Sequence, residues 1–187
     1  MTGGRIDKSA LLAPIAEGDL LLEQMAEPHR TGLRAACAAD YDIWAIYPTN
    51  WRDDFDACFD GVLNNAGRCP FTILLNGEVV GMSGFLNFAL DKQGLEIGNS
   101  YIRPDLRGSG LNGRVKQLLL TRAFDCGIRR VEFRIDERNA RSQAAVAKLG
   151  AVKEGVLRAE RILWNGFVRD TGVFSILADE WATKKGA

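Results

Sequence analysis

Apolar positions change their spacing along the chain. Up to about residue 65 they recur mostly at helical intervals; from residue 71 they fall in short strand-like runs, broken by two further helical segments. Residues 1–17 read as a loose lead-in and residues 19–26 (DLLLEQMA) as a short first strand. Pro28 followed by Leu33, Ala36, Cys37 and Tyr41 predicts a helix over 28–40. Asn50 with Asp53 three residues on predicts an N-cap with an acidic first turn, and a helix that ends at Asn64-Asn65-Ala66-Gly67. Phe71 to Leu75 and Val79 to Leu86 flank Asn76-Gly77, a strong hairpin signal. Leu95 to Ile102 makes a further strand. A glycine-rich turn then opens a helix to about Phe124, closed by Gly127. Val131, Phe133 and Ile135 alternate as a strand, and Asn139 caps a helix ending at Gly150. Two last strands, about 152–163 and 167–177, flank Asn165-Gly166. The length predicts a single domain spanning residues 1–187, with a strand and two helices, an antiparallel meander, then helix–strand–helix–strand–strand.

Composition narrows the function. Lys+Arg and Asp+Glu are both 24, so the formal charge is zero, which argues against nucleic acid as the main partner. No run of about 18 apolar residues and no signal-peptide pattern is present, so no membrane partner is expected and the reading is a cytoplasmic protein. Cys37, Cys58, Cys69 and Cys126 are widely spaced and expected to be reduced thiols. His29 is the single histidine and reads as a surface helix residue; with it alone, a multi-histidine metal site is excluded, and no metal is expected.

The chemistry concentrates at Arg107-Gly108-Ser109-Gly110-Leu111-Asn112-Gly113, between a strand and a helix. Glycines there permit positive φ and close approach, and free N–H groups at a helix start bind anions. Three phosphate-binding readings compete. The P-loop spacing is met, but Arg114 and Val115 stand where Lys and Ser/Thr are needed. The G-x-G-x-x-G spacing of a dinucleotide site is met too, with Glu132 and Asp136 as candidate ribose-binding acids; NAD(P) binding is the rival reading. Its weakness is context, because Pro104 to Arg107 intervene after the strand and a hairpin precedes it.

The third reading is a resemblance. Arg107-x-x-Gly110-x-Asn112 resembles the pyrophosphate motif of the GNAT acyltransferases, with Asn112 in place of the final small residue, and the Arg-Gly-Ser-Gly-Leu-Asn variant resembles the RimJ/RimL-like branch. Further matches follow in order: Leu95-Glu96-Ile97-Gly98, Arg129-Arg130-Val131-Glu132, Asn139-Ala140-Arg141-Ser142, Lys148-Leu149-Gly150, Glu154-Gly155, and Arg169-Asp170-Thr171 with Phe174 to Leu177. The likeness covers residues 70–181 well and the first 60 weakly. It implies a mixed α/β fold, with a central, mostly antiparallel sheet splayed between the fourth and fifth strands and flanked by helices. It also implies acetyl-CoA in the splay, with pantetheine along the backbone of Ser100, Tyr101 and Ile102, pyrophosphate on Arg107, Gly108, Ser109, Gly110, Leu111, Asn112 and Gly113, and Asn139 on the far arm. The position seven after Asn139, a tyrosine acid in many relatives, is Val146 here, which leaves Ser142 as the acid and a cofactor contact. The loop carrying Trp44, Tyr47 and Trp51 is implied to wall the acceptor site.

Glu96 lies in an apolar strand, and strict alternation places it on one face with Gly98 and Ser100. A carboxylate facing a partly dry cleft has a raised pKa and suits a base; Glu160 is a second candidate. Arg129, Arg130, Arg134, Arg138 and Arg141 form a basic cluster from which one side chain would reach the 3′-phosphate. Asp53, Asp54 and Asp56 could attract a cationic amine. The expected function is acetyl transfer from acetyl-CoA to a primary amine, either a protein or peptide N-terminal α-amine or a small molecule, by a monomer or homodimer. A non-catalytic acyl-CoA-binding module is the reading from another class.

Overall fold

The computed structural model describes residues 6–186. Eight strands form one sheet: β1 (Ile15–Glu17), β2 (Leu20–Gln24), β3 (Arg68–Leu75), β4 (Glu78–Ala89), β5 (Gly94–Ile102), β6 (Arg130–Asp136), β7 (Val152–Ile162) and β8 (Val168–Leu177). Their spatial order is β1-β2-β3-β4-β5-β6-β8-β7. Every neighbouring pair is antiparallel except β5 with β6. The helices are α1 (Lys8–Leu12), α2 (Arg30–Ala38), α3 (Phe55–Leu63), α4 (Leu111–Asp125), α5 (Ala140–Lys148) and α6 (Ala178–Gly186).

One connection shapes the molecule. The crossover from β5 through α4 to β6 makes these strands parallel, but they pair only over Gly94–Glu96 against Arg130–Glu132. Beyond Glu96 the strands part, which is the expected splay between the Leu95 and Val131 strands. On one side of the sheet Leu95, Ile97, Val131 and Phe133 pack with Val115, Leu119 and Leu120 of α4. On the other, Met82 and Tyr101 pack with Leu33 and Cys37 of α2, Phe55 and Phe59 of α3, and Trp44.

Four sequence expectations are corrected. From Asp7 the lead-in is structured, residues 1–5 lying outside the described residues: Asp7 Oδ1 accepts from Ala10 N to cap α1, and Ile15 and Leu20 bury their side chains in the β1–β2 hairpin. Asn50 caps a turn, accepting from the N–H groups of Arg52 and Asp53, and α3 itself begins four residues later than predicted, at Phe55. His29 ends a short 3-10 turn and is only 9% exposed; its Nδ1 accepts from Ala26 N, so Nε2 carries the proton donated to Glu23 Oε1 at 2.8 Å. Finally, β5 does not alternate strictly. A bulge at Asn99 (φ 52°) shifts its register against β4. Ser100 therefore points toward α4, and Glu96 toward the opposite face. The four cysteines are free and buried.

Candidate active site in the strand fork

A cavity of about 380 Å³ opens where β5 and β6 part. It gathers Glu96 and Ser100 from β5, Asn139 and Ser142 from the first turn of α5, and Tyr47 and Trp51 from the loop before α3. Of the loop aromatics expected to wall it, Trp44 is the exception. It is 1% exposed and lies beneath the wall, its indole N–H shared by the carbonyls of Cys37 and Asp40. Tyr47 clamps the loop to the sheet by donating to Ser100 O at 2.5 Å. Burial raises the Tyr47 phenol to about 12, so it stays a donor at neutral pH.

Glu96 is held from three sides. Asn87 Nδ2 donates to Oε2 at 2.7 Å, Arg134 Nε stands at 3.9 Å, and a Cβ on Gly98 would lie 2.9 Å from Oε1, so the glycine leaves room for the carboxylate. Burial pushes the Glu96 carboxyl above the usual range, against the Asn87 hydrogen bond and the charge of Arg134. Glu160 does not line the cavity; its Oε2 accepts from Thr171 Oγ1 at 3.0 Å.

On α5, Asn139 Oδ1 accepts from Ser142 N at 3.0 Å, an N-cap that fixes the first turn. Among the described residues no group engages the Ser142 hydroxyl. Val146 is buried one turn further along the same cavity wall.

The glycine turn lies outside the cavity, at the exposed end of the fork. Gly108 (φ 83°) and Gly110 (φ 88°) are left-handed, which favours glycine. Gly113 has ordinary φ, and a Cβ there would meet nothing within 4 Å. The fold does not need a glycine at 113, so the bare backbone keeps the first turn of α4 open. The first N–H groups of a helix lack intrahelical acceptors. These residues fit a pyrophosphate. Arg107, expected on the phosphate, is instead ion-paired with Asp40 and donates to Ile102 O at 3.1 Å.

The expected basic cluster is dispersed. Arg130 pairs with Glu132 and Glu154, and Arg138 pairs with Asp136 and lies over the Phe167 ring. Glu132 and Asp136, the acids a dinucleotide ribose would need, are thereby committed. Among the described residues no cluster of three or more His, Cys, Asp or Glu is arranged to hold a metal, and no helix is long and apolar enough to cross a membrane.

Sequence reasoning missed two kinds of cavity residue. Lys116 of α4 is 5% exposed and donates to Ser100 Oγ at 3.0 Å, while Ser100 Oγ lies 2.8 Å from Ser83 Oγ. Its spacing with Leu119, Leu120 and Ala123 marks a buried face and could have revealed it. Arg68, Arg161 and Arg169 also line the cavity. Only Arg169 carries a signal, the inward parity it shares with Thr171.

A family model described as an acetyltransferase (GNAT) domain matches residues 19–152. A probable GNAT-family acetyltransferase from Chromobacterium violaceum is 30% identical, with a TM-score of 0.83 over 91% of this chain and 94% of that one. A GCN5-related N-acetyltransferase from Brucella melitensis shares the fold at 23% identity, with a TM-score of 0.83 over 94% of this chain and 83% of that one. Mycobacterium smegmatis RimJ, in complex with CoA-disulfide, shares it at 21% identity and a TM-score of 0.74, over 86% and 83%. Among curated proteins, none matches the chain. The forked parallel pair, the glycine turn opening the intervening helix and the family match over most of the sequence converge: the chain belongs to the GNAT family, whose members transfer acetyl groups from acetyl-CoA to amines.

Proposed function

We propose that this chain, in the manner of the RimJ/RimL-like branch, acetylates a primary amine drawn from protein N-termini or small molecules, with Glu96 as the base and Ser142 as the acid. The observation that carries the reading is the fork itself. It brings a half-buried carboxylate and a hydroxyl onto one cavity, and sets the helix start that the glycine turn opens outside that cavity, at the exposed end of the fork. Bound acetyl-CoA would supply a thioester carbonyl open to attack by an amine. The backbone of Gly108 to Gly113 would hold the pyrophosphate, and the strand edge at Ser100 to Ile102 the pantetheine, with Asn139 beside it. Tyr47 and Trp51 wall the acceptor side; Trp44 supports that wall from beneath.

Glu96 takes a proton from the attacking amine at its carboxylate. That is a lighter task for a free α-amine, with pKa about 7.7–8.0, than for a lysine at about 10.4. Ser142 Oγ holds the proton that the departing sulfur needs. The test is thiol release across a panel of acyl-CoA donors and amines, with melting temperatures taken in acetyl-CoA and in NAD. Turnover with an amine, and stabilisation by acetyl-CoA alone, is the expected result. Acetyl-CoA binding without turnover of any amine would leave a binding module, a reading that the apolar Val146 at the expected tyrosine position favours.

A further inference from the structure

We infer that the acceptor amine carries its own anionic group, a carboxylate or a phosphate, which seats on Arg68, Arg134 and Arg161 while the amine meets Glu96. The inference rests on the acetyl-transfer reading and specifies its acceptor. Its basis is an imbalance of charge inside the cavity. The lining holds Arg68, Arg134, Arg161, Arg169 and Lys116 against two acids, Glu96 and Asp136. Asp136 is held by Arg138 at 2.7 Å, which leaves Glu96 as the one lining acid not paired with a cation outside the lining.

These arginines are poorly partnered, and this chain does not generally leave arginines so. Arg30 is bound by Glu27, Asp56 and Asp60, Arg103 by Glu78 and Asp105, and Arg130 by Glu132 and Glu154. In the cavity, Arg68 has one side-chain hydrogen bond among the described residues, to Asn99 Oδ1 at 3.4 Å. Arg134 has Glu96 at 3.9 Å and Glu132 at 3.6 Å; Arg161 has Glu160 at 3.5 Å. Arg169 is 5% exposed, and among the described residues its guanidinium reaches only Thr171 Oγ1 and Arg134 O. Asn99 Nδ2, a buried atom without a hydrogen-bond partner among the described residues, adds a donor to the same wall.

Arg169 is buried and Arg68 half-buried, and cations so desolvated, with donors unused, cost free energy unless an anion meets them; Arg134 and Arg161 are exposed at the cavity mouth and add charge that draws one in. Guanidinium donors match carboxylate and phosphate oxygens in a bidentate fork. The same charges lower the pKa of a nearby ammonium, which favours the neutral nucleophile, and they repel polycationic amines. The acids that might have drawn a cation are elsewhere: none of Asp53, Asp54 and Asp56 lines the cavity, and Asp56 is paired with Arg30 and Arg34. A volume of about 380 Å³ suits a small acceptor.

The experiment uses matched acceptors: L-amino acids against their α-carboxamides, and O-phosphoethanolamine against ethanolamine. Thiol release is followed for the parent, Arg161→Gln and Arg68→Gln, and melting shifts are recorded with coenzyme A present. The charged member of a pair should be preferred by roughly 10–100-fold in kcat/KM, and each variant should collapse that ratio. A structural loss would lower both members alike and keep the ratio. The amino-acid pairs report a carboxylate site, the phosphoethanolamine pair a phosphate site. Equal or better turnover of the uncharged members overturns the inference and leaves acetyl transfer standing. If nothing turns over, melting decides. Stabilisation by charged amines in the parent but not in Arg161→Gln supports the anion site while acetyl transfer fails. No such stabilisation overturns the inference.

Discussion

Arg107, beside the glycine turn, is ion-paired with the buried carboxylate of Asp40, 67 residues earlier in the chain. Its guanidinium also lies over the Tyr101 ring. The arginine therefore ties the end of β5 to the turn after α2, with its side chain committed to Asp40 and to Ile102 O. Arg107→Met would leave Asp40 buried and alone. Breaking a buried pair costs about 3–5 kcal/mol, and the partial exposure of Arg107 reduces that to about 2 kcal/mol. Urea unfolding should show this loss, and Asp40→Asn in the same chain should recover most of it. An Arg107→Met protein of parental stability would sink the assignment.

The glycine turn separates conformation from space. Gly110→Asp puts a side chain on a left-handed residue and a negative charge at the start of α4. Gly113→Ala adds only a methyl group, into open space, at ordinary φ. Gly110→Asp should weaken coenzyme A binding at least tenfold. Gly113→Ala should keep or raise stability, by about 0.5 kcal/mol, yet still weaken coenzyme A. Calorimetric titration that finds both affinities unchanged removes the pyrophosphate from this turn.

What could be read from the sequence was what is locally encoded. The Asn76-Gly77 hairpin, the alternation of Val131, Phe133 and Ile135, and the Asn139 cap each fix their element within a few residues. What could not be read depends on distant neighbours. β1 is three residues long, too short to show a period. α6 follows β8 without a break, its first turn held by Glu180 accepting from Leu177 N. The Asn99 bulge is set by the partner strand, and it moved Ser100 off the face of Glu96. Arg107 looked like a phosphate ligand because Asp40 is remote in sequence. The cavity arginines come from β3, β6, β7 and β8, and only the closed sheet brings them together.

Lys116 makes the fork less stable than it need be. Burial lowers its ammonium from 10.5 to about 8, so at neutral pH the folded chain holds a desolvated charge. Between about pH 8 and 10.5 the unfolded chain binds the extra proton, so this group's contribution to stability rises with pH across that window. Lys116→Met should raise Tm at pH 7, with roughly 2–4 °C for each kcal/mol gained in a chain of this size. The advantage should shrink as pH rises past 8. A Tm gap that stays constant from pH 7 to 10 would show that the lysine charge is not the cause.

Glu96 offers the sharpest test of the chemistry, because its charge and its packing have opposite effects. Burial raises its pKa above the ordinary 4.5, so the folded chain favours the protonated acid. Its contribution to stability is complete below about pH 4.5 and is lost as pH climbs through the raised value. At neutral pH the ionised carboxylate is a burden on the fold, and Glu96→Gln should be at least as stable as the parent. Catalysis needs the opposite state: a base must be ionised. The parent's kcat/KM should therefore rise with pH along an acid limb lying above 4.5. Glu96→Gln should lower kcat/KM about 10²-fold and abolish that limb, while acetyl-CoA affinity stays the same, since the glycine turn is untouched. A variant within twofold of the parent at neutral pH would make Glu96 structural. Glu160 could not replace it from its place on Thr171 outside the cavity, so bulk water would take the proton.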